Sequence, residues 1–205
     1  MALTDPDRLF PLDPGARGLA RALYDHVADL PIISPHGHCD PAWFAANGRF
    51  PNPAALFVIP DHYVFRMLVS QGVPLADLGV SSVDGRPVEP DSRVIRRRFA
   101  SHFHLFRGTP SALWLHHAFE HVFGLTEPLT AATADAAYDH IAALLAQDAY
   151  RPRALFDRFR IECLATTDSA LDDLSYHAGI AASAWPGRVI PTYRPDTVVD
   201  PETPG

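Results

Sequence analysis

Three short apolar runs, each broken off by polar or ionisable residues, limit most narrowly what this chain can fold into. Leu30 to Ser34 is apolar and β-branched and stops at Pro35, with His36-Gly37-His38-Cys39-Asp40-Pro41 directly behind it. Arg160 to Thr166 and Arg188 to Thr192 repeat the pattern, followed by Thr167-Asp168-Ser169 and Tyr193-Arg194-Pro195-Asp196. Such short continuous runs suit buried strands of a parallel sheet. Asp13-Pro14 marks a helix start, with Asp as cap and Pro at the first helical position. Leu19, Leu23, His26, Val27 and Leu30 then recur at helical spacing over residues 14–29. Further helices are expected near 41–46, 53–58, 61–70, 91–103, 110–122, 133–148 and 172–183, with Thr109-Pro110 and Thr130 to Thr133 as caps. Residues 79–91 are rich in Gly, Ser, Asp and Pro and read as a loop, and residues 196–205 show no apolar periodicity. The alternation predicts an α/β fold with a parallel sheet. In such folds chemistry gathers at the carboxyl ends of the strands. That directs attention to His36/His38, Thr167/Asp168 and Arg194/Asp196.

Composition narrows the function. All 17 basic residues are arginine, so a Schiff-base lysine, a pyridoxal-phosphate anchor and a P-loop lysine are excluded. A formal charge of −7 argues against general nucleic-acid binding, which needs a basic face, but not against a small anionic substrate in a locally positive pocket. The longest apolar stretches fall far short of the roughly 20 residues of a membrane span. The first residues carry Asp5, Asp7 and Asp13 rather than a signal-peptide apolar region, so a cytoplasmic protein is expected. Cys39 and Cys163 do not make a disulfide framework. At 205 residues the chain suits one domain or part of a larger one.

Several residue groups could carry chemistry. His36-x-His38, at a strand end, could converge on one metal ion through two imidazoles; the alternative is a pair of loop histidines bonded to backbone. Asp40 could orient a ligand or cap the next helix. Asp61-His62-Tyr63-Val64-Phe65-Arg66 gathers an acid, an imidazole, a phenol and a guanidinium, with His62 and Arg66 on one helix face. An arginine can grip a carboxylate, and His and Tyr can move protons; the competing reading is a helix capped by Asp61 with Arg66 solvated. His117-Ala118-Phe119-Glu120-His121 matches an H-x-x-E-H metallopeptidase pattern formally, but no third ligand is evident. His102-x-His104 reads as structural, and Arg93, Arg96, Arg97 and Arg98 read as a solvated basic face.

Taken in order, these segments resemble the uronate isomerase (glucuronate isomerase) family of the amidohydrolase superfamily. The resemblance rests on Leu30 to Pro41, Asp61-His62-Tyr63 with Arg66, Trp114-x-His116, Thr166 to Ala170, and Val189 to Asp196. It implies the N-terminal part of a (β/α)₈ barrel with extra helices, across residues 1–205. It also implies interconversion of D-glucuronate with D-fructuronate, and of D-galacturonate with D-tagaturonate. His36 and His38 would then hold a divalent metal, usually zinc, His62 and Tyr63 would contact substrate, and Arg194 would lie in the active site. The isomerase chemistry assigns Tyr63 and Arg194 to the proton or oxyanion at C1/C2. It assigns His62 and Arg66 to binding a small uronate. A homo-oligomer is a possible assembly.

This sequence departs from the family at Cys39, where relatives carry an apolar residue and where the thiol could sit near the metal, and at Phe65, where many carry tryptophan. A full barrel takes about 250 residues. A later metal-ligating histidine, a catalytic aspartate and a tryptophan region are therefore expected beyond Gly205. Two other readings remain at this point: a metal-dependent hydrolase of the same superfamily, and a non-catalytic fragment. An open three-strand piece is expected to leave apolar faces uncovered.

Overall fold

The computed structural model describes residues 3–81, 83 and 85–199. In chain order the elements are α1 (Pro14–Asp25), β1 (Ile32–Ser34), α2 (Pro41–Ala46), α3 (Pro53–Phe57), α4 (His62–Val69), α5 (Ser92–Ser101), α6 (Pro110–His117), α7 (Ala134–Leu145), α8 (Pro152–Arg158), β2 (Ile161–Ser169), α9 (Ser175–Ala182), β3 (Arg188–Arg194) and α10 (Asp196–Val199). Packing divides the chain into a helical unit, Met1–Arg17 with Phe50–Gln147, and a sheet unit, Gly18–Arg49 with Asp148–Gly205. The division falls within α1.

In the sheet unit the three strands are all parallel, in the order β1-β2-β3. Ile33 pairs with Cys163 and Ser34 with Leu164; Leu164 in turn pairs with Val189 and Ser169 with Arg194. β2 is central, and Cys163 to Thr166 are buried in succession, as a strand covered on both faces requires. Phe44 of α2, Phe156 of α8, Leu164, Ile180 of α9 and Val189 form the core cluster. Trp185 closes it, stacked on Phe44 at 6.0 Å and edge-on to Phe156 at 5.0 Å. Each large apolar side chain fully buried in this way contributes about 1.5–3 kcal/mol. Arg153 of α8 lies over the Trp185 ring and donates to the Phe44 and Ala45 carbonyls. That satisfies acceptors left open at the end of α2.

The expectation of three buried strands holds for β2 alone; β3 buries only Val189, and β1 buries none of its residues. Ile32 is 49% and Ile33 63% exposed. Among the described strands β1 is an edge strand paired only with β2, and both isoleucines keep about half or more of their surface exposed. Leu19, Leu23, Val27 and Leu30 are exposed as well, and α1 buries none of its residues. The helical spacing is real, but its apolar face has no cover among the described residues. This is the exposed apolar surface expected of a partial sheet.

The helical unit packs α3, α5 and α7 around Phe57, Phe99, Phe119, Phe123, Ile95 and Ile141. Caps legible in the sequence set its helix starts. Asp61 accepts from the Tyr63 and Val64 amides, Asp91 from Arg93 and Val94, and Thr109 from Ala112. Thr133 precedes α7 without capping it, because its hydroxyl donates to the Pro128 carbonyl at 2.7 Å.

The basic face at residues 93–98 also needs correction. Arg93 and Arg97 pair with Asp135, and Arg98 with Glu89 and Asp77, but Arg96 is wholly buried. Its guanidinium lies over the rings of Phe119, Phe99 and Phe57 at 4.9, 5.0 and 5.8 Å. Two short helices escaped the sequence reading. α8 has only seven residues, too few to show a period, and α10 lies in the tail read as aperiodic.

Candidate metal centre and substrate-facing residues

β1 ends at Ser34, and Pro35 cannot extend the ladder. The chain then turns so that His36 and His38 sit in a loop above the carboxyl end of the sheet rather than on the strand. Gly37 makes that turn fit. A Cβ there would stand 3.1 Å from the Ala165 carbonyl oxygen of β2, so a larger residue between the two histidines would have to press the β2 backbone back by a few tenths of an ångström. The imidazoles meet edge to face with centroids 4.9 Å apart, and their Nε2 atoms are 3.1 Å apart. Two nitrogens at that separation subtend about 100° at an ion ~2.05 Å from each, between octahedral and tetrahedral values. The pair therefore fits a shared divalent ion. Among the described residues no set of three His, Cys, Asp or Glu side chains is placed to hold one.

Neighbouring groups resolve into other roles. Asp40 accepts from the Ala42 amide at 2.8 Å and caps α2, the second of the two roles expected of it. Cys39 packs against the apolar core, and burial raises its thiol above the ordinary value. A thiol so placed stays protonated and is a poor nucleophile or metal ligand. Thr167, at the end of β2, places Oγ1 3.5 Å from His38 Nδ1.

Side chains alternate along a strand, so Thr166 and Asp168 project from the opposite face to Thr167. There they form a buried chain that sequence reasoning missed. Thr166 Oγ1 donates to Asp168 Oδ2 at 2.7 Å and lies 2.8 Å from His177 Nε2 of α9. Asp168 Oδ2 also accepts from the Thr192 amide of β3 at 3.3 Å. The Thr-x-Asp pattern was visible as a strand end. His177, eleven residues from Thr166, stands at no spacing that would announce it. On β3, Arg194 donates through Nε to Asp196 at 2.8 Å, and both side chains are exposed.

The helical unit supplies the other expected residues. Val64 and Leu68 bury one side of α4, while His62, Tyr63 and Arg66 stay exposed. The His62 and Tyr63 rings lie 4.2 Å apart, and Tyr63 is 67% exposed. The competing reading is the one observed, with Asp61 as the cap and Arg66 solvated, and an imidazole, a phenol and a guanidinium lie exposed on one short helix.

The H-x-x-E-H pattern comes to nothing. The helix passes into a π turn at Ala118–Val122, and Glu120 accepts from the amide and hydroxyl of Thr4. Those bonds, the hydroxyl's first, hold the Glu120 carboxyl below its ordinary value. His102 and His104 donate through Nδ1 to the Arg98 and Ser101 carbonyls, as structural residues do.

The sequence profile of the glucuronate isomerase family matches residues 15–205. The chain belongs to the glucuronate isomerase family. A uronate isomerase of Mesorhizobium japonicum is 60% identical over 205 residues, all of this chain and 44% of the relative. One from Rhizobium meliloti is 56% identical over 203 residues, 99% of this chain and 43% of the relative. The crystal structure of glucuronate isomerase from Caulobacter crescentus superposes with a TM-score of 0.92 at 58% identity, covering 97% of this chain and 41% of that one. A uronate isomerase structure from Thermotoga maritima, 23% identical, shares the fold with a TM-score of 0.80 over 96% of this chain and 40% of that one. This chain thus spans less than half the length of these members of the family. They are isomerases by name, which leaves the hydrolase reading without support. No helix among the described residues is long and apolar enough to cross a membrane.

Proposed function

We propose that this chain carries the first metal-ligand pair and the first substrate-facing residues of an aldose–ketose isomerase acting on hexuronates. The observation that carries the reading is the uronate isomerase identity of relatives 56–60% identical across the whole chain. The convergent His36/His38 pair supports it from within. The three parallel strands would be an arc of a (β/α)₈ barrel, with the site at their carboxyl ends. D-glucuronate and D-galacturonate would be the aldoses, D-fructuronate and D-tagaturonate the ketoses.

The reaction moves a proton between C2 and C1 through an enediol(ate), which calls for a proton carrier and a group that holds the developing oxyanion. A divalent ion on His36 and His38, such as zinc, would supply Lewis-acid polarisation of a substrate oxygen when bound. Tyr63 presents an exposed phenol that would hold or pass the proton. Arg194 presents a fixed positive charge for the oxyanion, and its bond to Asp196 aims it. His62, beside Tyr63, would hydrogen-bond substrate hydroxyls, and Arg66 would grip the uronate carboxylate in a two-point contact.

The test joins this chain to the remaining length of the Mesorhizobium japonicum relative, in place of that protein's matching segment. Glucuronate turnover to a ketouronate is then followed. The expected result is isomerisation, with Tyr63→Phe lowering kcat by about 10²-fold or more. A folded hybrid that makes no ketose from either hexuronate would overturn the reading. Unchanged kcat in Tyr63→Phe would overturn the role of that phenol.

A further inference from the structure

We propose that the buried His177–Thr166–Asp168 chain is a positioning device for the metal pair. It locks the end of β2 so that Thr167, on the opposite face, holds His38 through Nδ1 and leaves Nε2 turned toward His36. The inference rests on the reading of His36 and His38 as metal ligands.

Proton counting gives the chain its direction. A threonine hydroxyl has one hydrogen. The Thr166 hydrogen goes to the Asp168 carboxylate, its nearest acceptor at 2.7 Å. His177 Nε2, 2.8 Å away, must then be the donor to Thr166 Oγ1. His177 is 8% exposed, and its Nδ1 has no hydrogen-bond partner among the described residues. The ring is therefore held in one tautomer by a single bond from α9 into β2. Asp168 extends the chain by accepting from the Thr192 amide, which ties β2 to β3 just where both strands reach the site. The bonds among Thr166, Asp168, His177 Nε2 and the Thr192 amide resist opening, because each one lost would strand a further polar group away from water.

That rigidity reaches the metal pair through one residue. Thr167 lies between Thr166 and Asp168, and its backbone is pinned on both sides. Its Oγ1 stands 3.5 Å from His38 Nδ1, the long end of a hydrogen bond. A metal-ligating histidine characteristically donates its second ring N–H to a neighbouring oxygen, which sets the tautomer and aims the ligand nitrogen. Thr167 is placed to accept that bond. The Nε2 lone pair of His38 is then left facing the His36 ring, 3.1 Å away.

The experiment reads the histidine tautomers by long-range ¹H–¹⁵N NMR at about pH 8. Zinc affinity is measured alongside by competition with a chromophoric chelator. In the wild-type chain, His38 is expected as the Nδ1–H form and His177 as the Nε2–H form. Thr167→Val and His177→Leu are expected to move His38 toward the Nε2–H form and to weaken zinc binding about ten-fold or more. Thr167→Ser and His177→Gln, which keep the acceptor and the donor, are expected to restore both. Circular dichroism checks folding, and if His177→Leu does not fold, Thr167→Val alone decides. Folded variants with the wild-type tautomer and affinity would overturn the positioning role while leaving the metal pair intact. Zinc binding undiminished in His36→Ala and His38→Ala would instead overturn the metal reading, and this inference with it.

Discussion

Arg96→Met exchanges a buried cation for an apolar chain of similar length, and the structure allows the outcome to be worked through. None of the three guanidinium nitrogens of Arg96 has a hydrogen-bond partner among the described residues. Burial pushes the group down to about 9, well below the ordinary guanidinium range. At ~1.36 kcal/mol per pH unit, the charged form is disfavoured by roughly 5 kcal/mol relative to the unfolded chain. Against this stand the faces of Phe119, Phe99 and Phe57. Desolvated cation–π contacts reach about 2 kcal/mol each, and three rings sharing one guanidinium contribute roughly 2–4 kcal/mol. Methionine recovers part of that through sulfur–aromatic contacts. Arg96→Met is therefore expected to stabilise the protein by about 1–3 kcal/mol, raising Tm by roughly 2–10 °C in a chain of this size.

Thermal melts and urea titrations at neutral pH provide the assay. The pH dependence has a definite sign. A base whose folded value is depressed carries its full penalty below about 9 and loses it as pH rises from there toward the unfolded guanidinium's value. The advantage of methionine should thus be constant between about pH 6 and 8 and shrink above about 9. Arg96→Lys, which keeps a more strongly hydrated charge, should lower Tm. A fall in Tm for Arg96→Met by the equivalent of ~1 kcal/mol or more would refute the reasoning. It would mean that the guanidinium has partners worth more than its desolvation.

Gly187→Ala should destabilise the sheet unit, because the new Cβ would stand 2.1 Å from the Trp185 ring that closes the core. Displacing that ring is expected to cost about 1–3 kcal/mol, measured by denaturation and accompanied by a change in tryptophan fluorescence. Thr4→Val removes the hydroxyl that holds the Glu120 carboxyl below its ordinary value of 4.5. A depressed carboxyl stabilises above 4.5, and that contribution fades as pH falls through the folded value. The Tm gap between wild type and variant should therefore be open at pH 7 and close on acidification below about 4.5. A gap that stays the same across that range would show that Glu120 plays no part.

Much of the site was legible because its signals are local. A strand end is marked by Pro35, a helix cap by Asp61 or Asp91, and two histidines flanking a glycine announce themselves by adjacency. Local backbone chemistry and short-range capping bonds act within a few residues, so the order of elements and the positions of His36, His38, His62, Tyr63 and Arg194 follow from the chain read linearly. The sequence could not say which of four neighbouring arginines turns inward. Arg96 is buried and Arg97 exposed because α5 rotates 100° between them and packs on α3 and α7. Nor could it say that β1 and α1, apolar as they are, stand uncovered, since cover is a property of what packs against them. Asp40, read in line as either a ligand-orienting acid or a cap, was decided by a helix start, and Cys39 turned out to touch the core. His177 meets Thr166 only after α9 folds back on β2, across a separation that no periodicity spans. Residue types and their order determined which chemistry this protein could carry. The tertiary structure decided which of those residues share a point in space, because hydrogen-bond direction and burial depend on elements that meet only once the sheet has formed.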